Sequence, residues 1–260
     1  MPGPANASCS LSSWSSATAT VPGTTLRVGE PNQPLPIVRY SGRCAMSASA
    51  PANYVTDDSP ASEAAFHARF YVFTGASGAP VTIFRARNSA GVAMVTIRYT
   101  GSAFEFATRS AYSSSQAVQT GHWYAIQLDW TAGNAMSATV KGAGLSALAV
   151  VTTSPAQAGD RIESAQLGWI EGAATGSLAF DAYEARRRVA PPRLCRGNAD
   201  GNRVRDAHDQ GSDRREFLER VIARGQPDCN EDGRVDSGDE VCVRNIVEAG
   251  QGDCDDFPEL

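Results

Sequence analysis

A single lysine, Lys141, stands against 22 arginines in these 260 residues, and histidine occurs only at 67, 122 and 208. Histidines so scattered offer no metal-binding pair. HExxH, a Gly-x-Ser-x-Gly elbow and phosphate-cradling glycine loops are missing as well. No apolar stretch approaches the roughly 18 residues that cross a bilayer, which excludes a transmembrane helix. The net charge is −5 and the pI about 5.3, whereas a nucleic-acid binder normally carries a basic patch. Nucleic acid is therefore not an expected partner. None of the six cysteines forms a CxxC pair, so a zinc knuckle or thioredoxin-like motif is not expected either.

Acidity is confined to one end of the chain. Residues 1–194 carry 14 basic and 11 acidic side chains, a net of +3, and residues 195–260 carry 9 and 17, a net of −8. The cysteines divide the same way, with Cys9 and Cys44 in the long segment and Cys195, Cys229, Cys242 and Cys254 in the short one. An even count predicts three disulfides and an oxidising compartment. Cys9 should pair with Cys44, and the other four should form two bridges whose connectivity the sequence leaves open. Met1–Pro4 has neither the basic nor the apolar region of a signal peptide. The cysteines favour a secreted, extracellular protein whose signal has been removed.

The long segment alternates apolar and polar residues. Phe66, Ala68, Phe70 and Val72 share one face, and Trp123, Ala125 and Gln127 oppose Tyr124, Ile126 and Leu128. Further strands are expected at 81–87, 92–99, 103–107, 135–141, 147–151, 165–170 and 177–182, with Gly, Asn, Ser or Asp in most gaps. Many short strands without a long helical period predict a mostly β chain built as an antiparallel β-sandwich.

Four pieces, Tyr54–Pro60, Phe66–Tyr71, Gly121–Trp130 and Phe180–Arg187, resemble the laminin-G/concanavalin-like jelly-roll modules of secreted bacterial proteins. The resemblance implies a jelly-roll domain over 1–188, and a fold rather than a function. Pro191 and Pro192 then exclude a continued strand or helix, which makes 189–194 a linker.

The C-terminal part holds the sharpest pattern. Between Asp228 and Asp239, oxygen side chains fall at loop positions 1, 3, 5, 9 and 12: Asp228, Asn230, Asp232, Asp236 and Asp239. Gly233 takes position 6 and Val235 position 8, while Arg234 offers its carbonyl at position 7. This is the EF-hand spacing, in which a hard Ca²⁺ ion collects six to eight oxygens and glycine permits the sharp turn. A short helix should follow, with Val241, Val243, Ile246 and Val247 on its apolar face.

A weaker copy precedes it, with Asn198, Asp200, Asn202, Asp206 and Asp209 as candidate ligands. Arg196 stands at its first-ligand position, and no carboxylate closes it unless the loop is longer. Phe217, Leu218, Val221 and Ile222 mark a helix after it. Two loop–helix units about 32 residues apart resemble a type I dockerin over 195–260. That resemblance implies a small α-helical calcium module whose helical faces bind a cohesin-like partner.

Catalytic pairs are poorly represented. Glu105 stands alone, Asp129 adjoins Trp130, and strict alternation puts Asp181 and Glu184 on opposite faces. The lyase-like set His122, Tyr124 and Gln127 is split between a turn and both faces of a strand. Trp14, Trp123, Trp130, Trp169, Tyr54, Tyr71, Tyr99 and Tyr112 could stack on sugars, although strands enrich aromatics in any case. The sequence thus predicts a secreted, non-catalytic Ca²⁺-binding protein that recognises a glycan or protein, or self-assembles. The competing expectation is a polysaccharide hydrolase or lyase carrying a dockerin-like attachment module.

Overall fold

The alternation read from the sequence becomes two stacked sheets. The computed structural model describes residues 11, 14–18, 26–29, 38–42, 44–78, 80–109, 111–142, 149–188, 199, 206–212 and 226–249. The front sheet runs, edge to edge, β1 (Ser16–Ala17), β4 (Asn53–Asp57), β14 (Ser164–Glu171), β7 (Val81–Arg87), β8 (Ala93–Tyr99), β9 (Ala103–Thr108) and β10 (Ala111–Ala117). The back sheet runs β13 (Ala149–Pro155), β12 (Ala135–Gly142), β11 (Trp123–Thr131), β5 (Ala65–Phe73), β16 (Leu178–Arg186), β3 (Ala45–Ala48) and β2 (Leu26–Gly29). A two-stranded ribbon, β6 (Ala76–Gly78) with β15 (Ala174–Gly176), lies beside them. All these pairings are antiparallel, as expected for a jelly-roll-like β-sandwich.

Between the sheets, Phe66, Phe70, Val72, Tyr124, Ile126, Leu128 and Trp130 of the back sheet meet Phe84, Val95, Ile97, Phe104, Phe106 and Leu167 of the front one. Each fully buried large apolar side chain contributes about 1.5–3 kcal/mol, so this layer dominates stability. The period-2 reading of Phe66–Val72 and Tyr124–Leu128 holds residue by residue. The strand β10, Ala-Tyr-Ser-Ser-Ser-Gln-Ala, was not expected: it lacks an apolar face and forms as an edge strand against β9.

One expectation about facing is corrected. Pairing of β16 with β5 jumps from Asp181↔Tyr71 to Glu184↔Arg69, because a bulge at Ala182, whose φ is 48°, inserts an extra residue. Tyr71 and Arg69 share a face, so Asp181 and Glu184 do too.

Beyond the sandwich, residues 207–212 are helical, and a second helix spans Ser237–Glu248. Asp236 caps the latter: its side chain accepts from Gly238 N and the Asp239 N–H, while Asp239 reaches back to the Asp236 N–H. Val243 and Ile246 are buried with Cys229, and Val247 packs against them. Val241, expected on this apolar face, is instead 45% exposed. It precedes Val243 by two residues, a turn of roughly 200° about the helix axis.

Cys229 is bonded to Cys242, tying the acidic loop to its helix, and Cys44 is also disulfide-bonded. Cys9, Cys195 and Cys254 lie outside the described residues, as do the linker at 189–194 and the helix expected around Phe217–Ile222. No described helix is long and apolar enough to cross a membrane.

Candidate functional site

The acidic loop winds around its own carboxylates. Asp228 Oδ1 accepts from Asp232 N at 3.1 Å and its Oδ2 from Gly233 N at 2.8 Å. Asn230 Oδ1 accepts from Asp232 N at 3.0 Å, and Asp232 Oδ1 accepts from Arg234 N at 2.9 Å. Asp239 closes the ring, accepting from Asn230 N at 3.1 Å and Asp236 N at 2.8 Å. Asp228 and Asp239 are buried, at 1% and 0% exposure.

Burial, with Asp239 and Asp232 nearby, pushes the Asp228 carboxyl well above the usual range. Burial likewise pushes Asp239 to about 6, against the amides of Asp236 and Asn230. The donor set is all hard oxygen, which suits Ca²⁺ and not a soft metal. In this geometry the carboxylates face backbone amides. No three His, Cys, Asp or Glu side chains among the described residues stand together as a closed metal cage.

The weaker loop ends in the same way. Asp209 is fully buried and its Oδ2 accepts from Asp206 N at 2.9 Å, while Asp206 Oδ1 accepts from His208 N. These contacts repeat Asp239 with Asp236, and Asp236 with Gly238, thirty residues earlier in the chain. Asp209 therefore occupies the place of the loop-closing carboxylate, the twelfth residue counted from Asn198 as Asp239 is from Asp228, which corrects the expectation that Arg196 holds the first-ligand position and that no carboxylate closes the loop. Asn198, Asp200 and Asn202 lie outside the described residues.

The second loop also meets the sandwich. Trp123 N donates to the Glu231 carbonyl at 2.9 Å, and the Tyr40 hydroxyl donates to Glu231 Oε1 at 3.2 Å. Gly233, at φ 83°, lies so near Phe73 and Val38 that a Cβ there would come within 2.8 Å of Phe73 Cζ and 3.1 Å of Val38 Cγ1. Beneath it Tyr40 stacks on Tyr71 at 3.9 Å, with Trp123 edge-on at 5.6 Å and Ala125 and Ala179 completing the cluster. These side chains of β5, β11 and β16 face away from the sandwich core. The loop covers them, which is why Trp123 and Tyr71 are buried on an outer face.

The outer face of the front sheet is arranged differently. Strand register lines up Gln166, Arg85, Thr96, Ala107 and Tyr112 across five strands, and Glu171, Thr82, Arg98, Glu105 and Ser115 in the next row. A cavity of about 410 Å³ opens there, lined by Arg85, Arg87, Thr96, Arg109, Tyr112 and Glu171 among others.

Arg85 is paired with Glu171 and Arg98 with Glu105, and the Arg98 guanidinium sits 3.8 Å above the Tyr112 ring. Arg109, at φ 57°, is clamped by Asp160 and by Gln157 Oε1 at 2.8 Å. Burial pushes the Tyr112 phenol up, against the pull of Arg98.

The structure sorts the expected sugar-stacking aromatics. Trp123, Trp130, Trp169, Tyr71 and Tyr99 are buried, and Trp14 packs against Tyr183 at 4.7 Å. Tyr112 is 37% exposed and lines the cavity. Asp129 pairs with His67 at 2.8 Å on the opposite sheet. Sequence reasoning placed Arg85, Arg87 and Arg98 only as strand residues and did not single out Glu171, which lies one residue beyond the strand expected at 165–170. Their convergence depends on the pairing of non-sequential strands, which no local pattern carries.

No family model matches this sequence, and no curated protein matches it. Solved structures do. The chain is similar to the cellulose-induced protein Cip1 at 13% identity, with a TM-score of 0.45, over 65% of this chain and 94% of that one. It is similar to a GH131 β-glucanase catalytic domain from Podospora anserina at 6% identity, with a TM-score of 0.40, over 57% of this chain and 74% of that one. It is also similar to the botulinum neurotoxin serotype D binding domain at 11% identity, with a TM-score of 0.42, over 62% of this chain and 43% of that one. All are likenesses of fold.

The expectation that the chain is not an enzyme is corrected by this comparison. The solved structures it is similar to include GH131 catalytic domains.

Proposed function

We propose that the chain is a secreted carbohydrate-active protein that takes its glycan on the open face of the front sheet. The observation that carries this reading is the division between the two outer faces. The C-terminal loop closes the back face, whereas the front face keeps a cavity with an exposed tyrosine, a threonine hydroxyl and ionic side chains. Such a mixture of one apolar ring and a few directed polar groups is what a sugar site needs. If the cavity also performs chemistry, Glu171 is the carboxylate that lines it, while Glu105 belongs to the same sheet face outside that lining. They lie three strand spacings apart, roughly 14 Å between Cα atoms.

The acidic module is, in the same proposal, a dockerin-like unit that binds Ca²⁺. Asp228, Asn230, Asp232, Asp236 and Asp239, with the Arg234 carbonyl, would hold the ion in the second loop. The repeated closure by Asp206 and Asp209 supports a first site. A cohesin-like partner has less support, because residues of the second loop already engage the sandwich.

Incubating the full chain with immobilised and soluble polysaccharides, and assaying reducing ends and unsaturated products, tests the glycan reading. Retention or turnover that Tyr112→Ala abolishes supports it. A chain that neither binds nor cleaves any polysaccharide refutes it.

A further inference from the structure

We infer that the front-face cavity selects acidic glycans, chains whose sugar rings bear carboxylates, over neutral ones. This inference rests on the reading of that face as the glycan site and names its ligand class. The first ground is charge. Three arginines, Arg85, Arg87 and Arg109, line the cavity; Glu171 pairs with Arg85 and Asp160 with Arg109, which leaves Arg87 as the positive charge in excess. The chain as a whole is acidic at −5, so this basic surface is a local departure.

The second ground is unused donor capacity. The Nε–H groups of Arg85 and Arg87 are buried with no hydrogen-bond partner among the described residues. An unsatisfied buried donor is costly and is normally avoided, so two on adjacent side chains of one strand face call for an acceptor. The guanidinium fork matches a carboxylate with two parallel hydrogen bonds, which lysine cannot offer.

The third ground is preorganisation. Arg109 is fixed in a left-handed conformation by Asp160 and Gln157, and Arg98 is fixed between Glu105 and the Tyr112 ring. A left-handed backbone is disfavoured for arginine, and such strain persists where the surroundings enforce it. The alternation of β7 sets Arg85 and Arg87 on one face, roughly 6.6–6.8 Å apart along the strand. That is of the order of one sugar ring. Tyr112 supplies the apolar surface on which a ring rests while its carboxylate meets the arginines.

The test is calorimetric titration of the full chain with polygalacturonate and, separately, with neutral mixed-linkage β-glucan. Arg87→Ala and Arg87→Lys serve as variants, and melting curves establish that both remain folded. Arg87 is chosen because no ion pair among the described residues depends on it, unlike Arg85. The expected result is binding of polygalacturonate that weakens with added salt and falls about tenfold or more in Arg87→Ala, with Arg87→Lys recovering only part. Neutral glucan should bind more weakly than polygalacturonate and respond little to either variant. Equal or tighter binding of neutral glucan that Tyr112→Ala abolishes would overturn the acidic preference while leaving the glycan site in place. Polygalacturonate affinity unchanged in Arg87→Ala would overturn the assignment of the arginines. Binding of neither polymer would overturn the inference together with the glycan reading beneath it.

Discussion

Tyr40 and Glu231 are separated by 191 residues, yet the Tyr40 hydroxyl donates to Glu231 Oε1 at 3.2 Å in a buried contact. Glu231 sits at loop position 4, between two proposed calcium ligands, and its carbonyl accepts from Trp123 N. One residue thus joins the acidic loop to the sandwich domain twice, at Tyr40 and at Trp123 of the back sheet. Truncating it leaves a buried phenol without this acceptor, so Glu231→Ala should cost about 1–3 kcal/mol. Chemical denaturation checks this, and an unchanged midpoint would show that the contact contributes nothing.

Gly233 is constrained from two directions. Its φ of 83° disfavours any side chain, and Phe73 fills the space a Cβ would take. Gly233→Ala should destabilise the full chain by about 2 kcal/mol or more. Adding Phe73→Ala should relieve the clash but not the backbone strain. The double variant should therefore lose less than the two single losses combined, and strict additivity would contradict the packing described here.

The contrast between these residues and the sandwich shows what a sequence carries. Phe66–Val72 and Tyr124–Leu128 were legible because period-2 alternation is a local property that burial rewards directly. Asp181 and Glu184 were misread because the bulge at Ala182 breaks the period without a glycine or proline to announce it. The acidic loop was legible through its oxygen spacing, but its attachment to Phe73, Tyr40 and Trp123 was not, because it rests on contacts across most of the chain. The arginine cavity was hidden for the same reason. Arg85, Arg98 and Tyr112 come together only when β7, β8, β9 and β10 pair.

Calcium should stabilise the chain by about 2.7 kcal/mol at a hundredfold excess over its dissociation constant. Asp228→Ala and Asp239→Ala should remove most of that gain. Because the loop contacts the back sheet, the shift should appear in the melting of the full chain and be absent from a fragment of residues 1–190, which lacks both loops. Thermal melts with calcium and with chelator make the comparison, and identical melting of the full chain under both conditions would refute the calcium site.

Asp181 gives a pH dependence of defined sign. Burial raises its carboxyl from 3.8 to about 6, although the backbone amides of Ser41, Tyr40 and Ala182 oppose the shift. Between those values the folded protein holds a proton that the unfolded chain releases, so this group's contribution to stability falls as pH rises from about 4 to 6. Other carboxylates act on the same scale, so the comparison is with Asp181→Asn, which retains an acceptor and does not titrate. The stability difference, wild type minus variant, should decrease across that window and flatten above it. A difference independent of pH would contradict the shift.

The central claim is that the two outer faces divide the work, the front one taking glycan and the back one held by the C-terminal loop. Hydrogen–deuterium exchange on the full chain, with and without saturating polygalacturonate, tests it most directly. The account predicts added protection in Val81–Arg87, Ala93–Tyr99 and Ala111–Ala117, with Ala65–Phe73 and Trp123–Thr131 unchanged. Protection confined to those two back-sheet strands, or to the acidic loop, would contradict it.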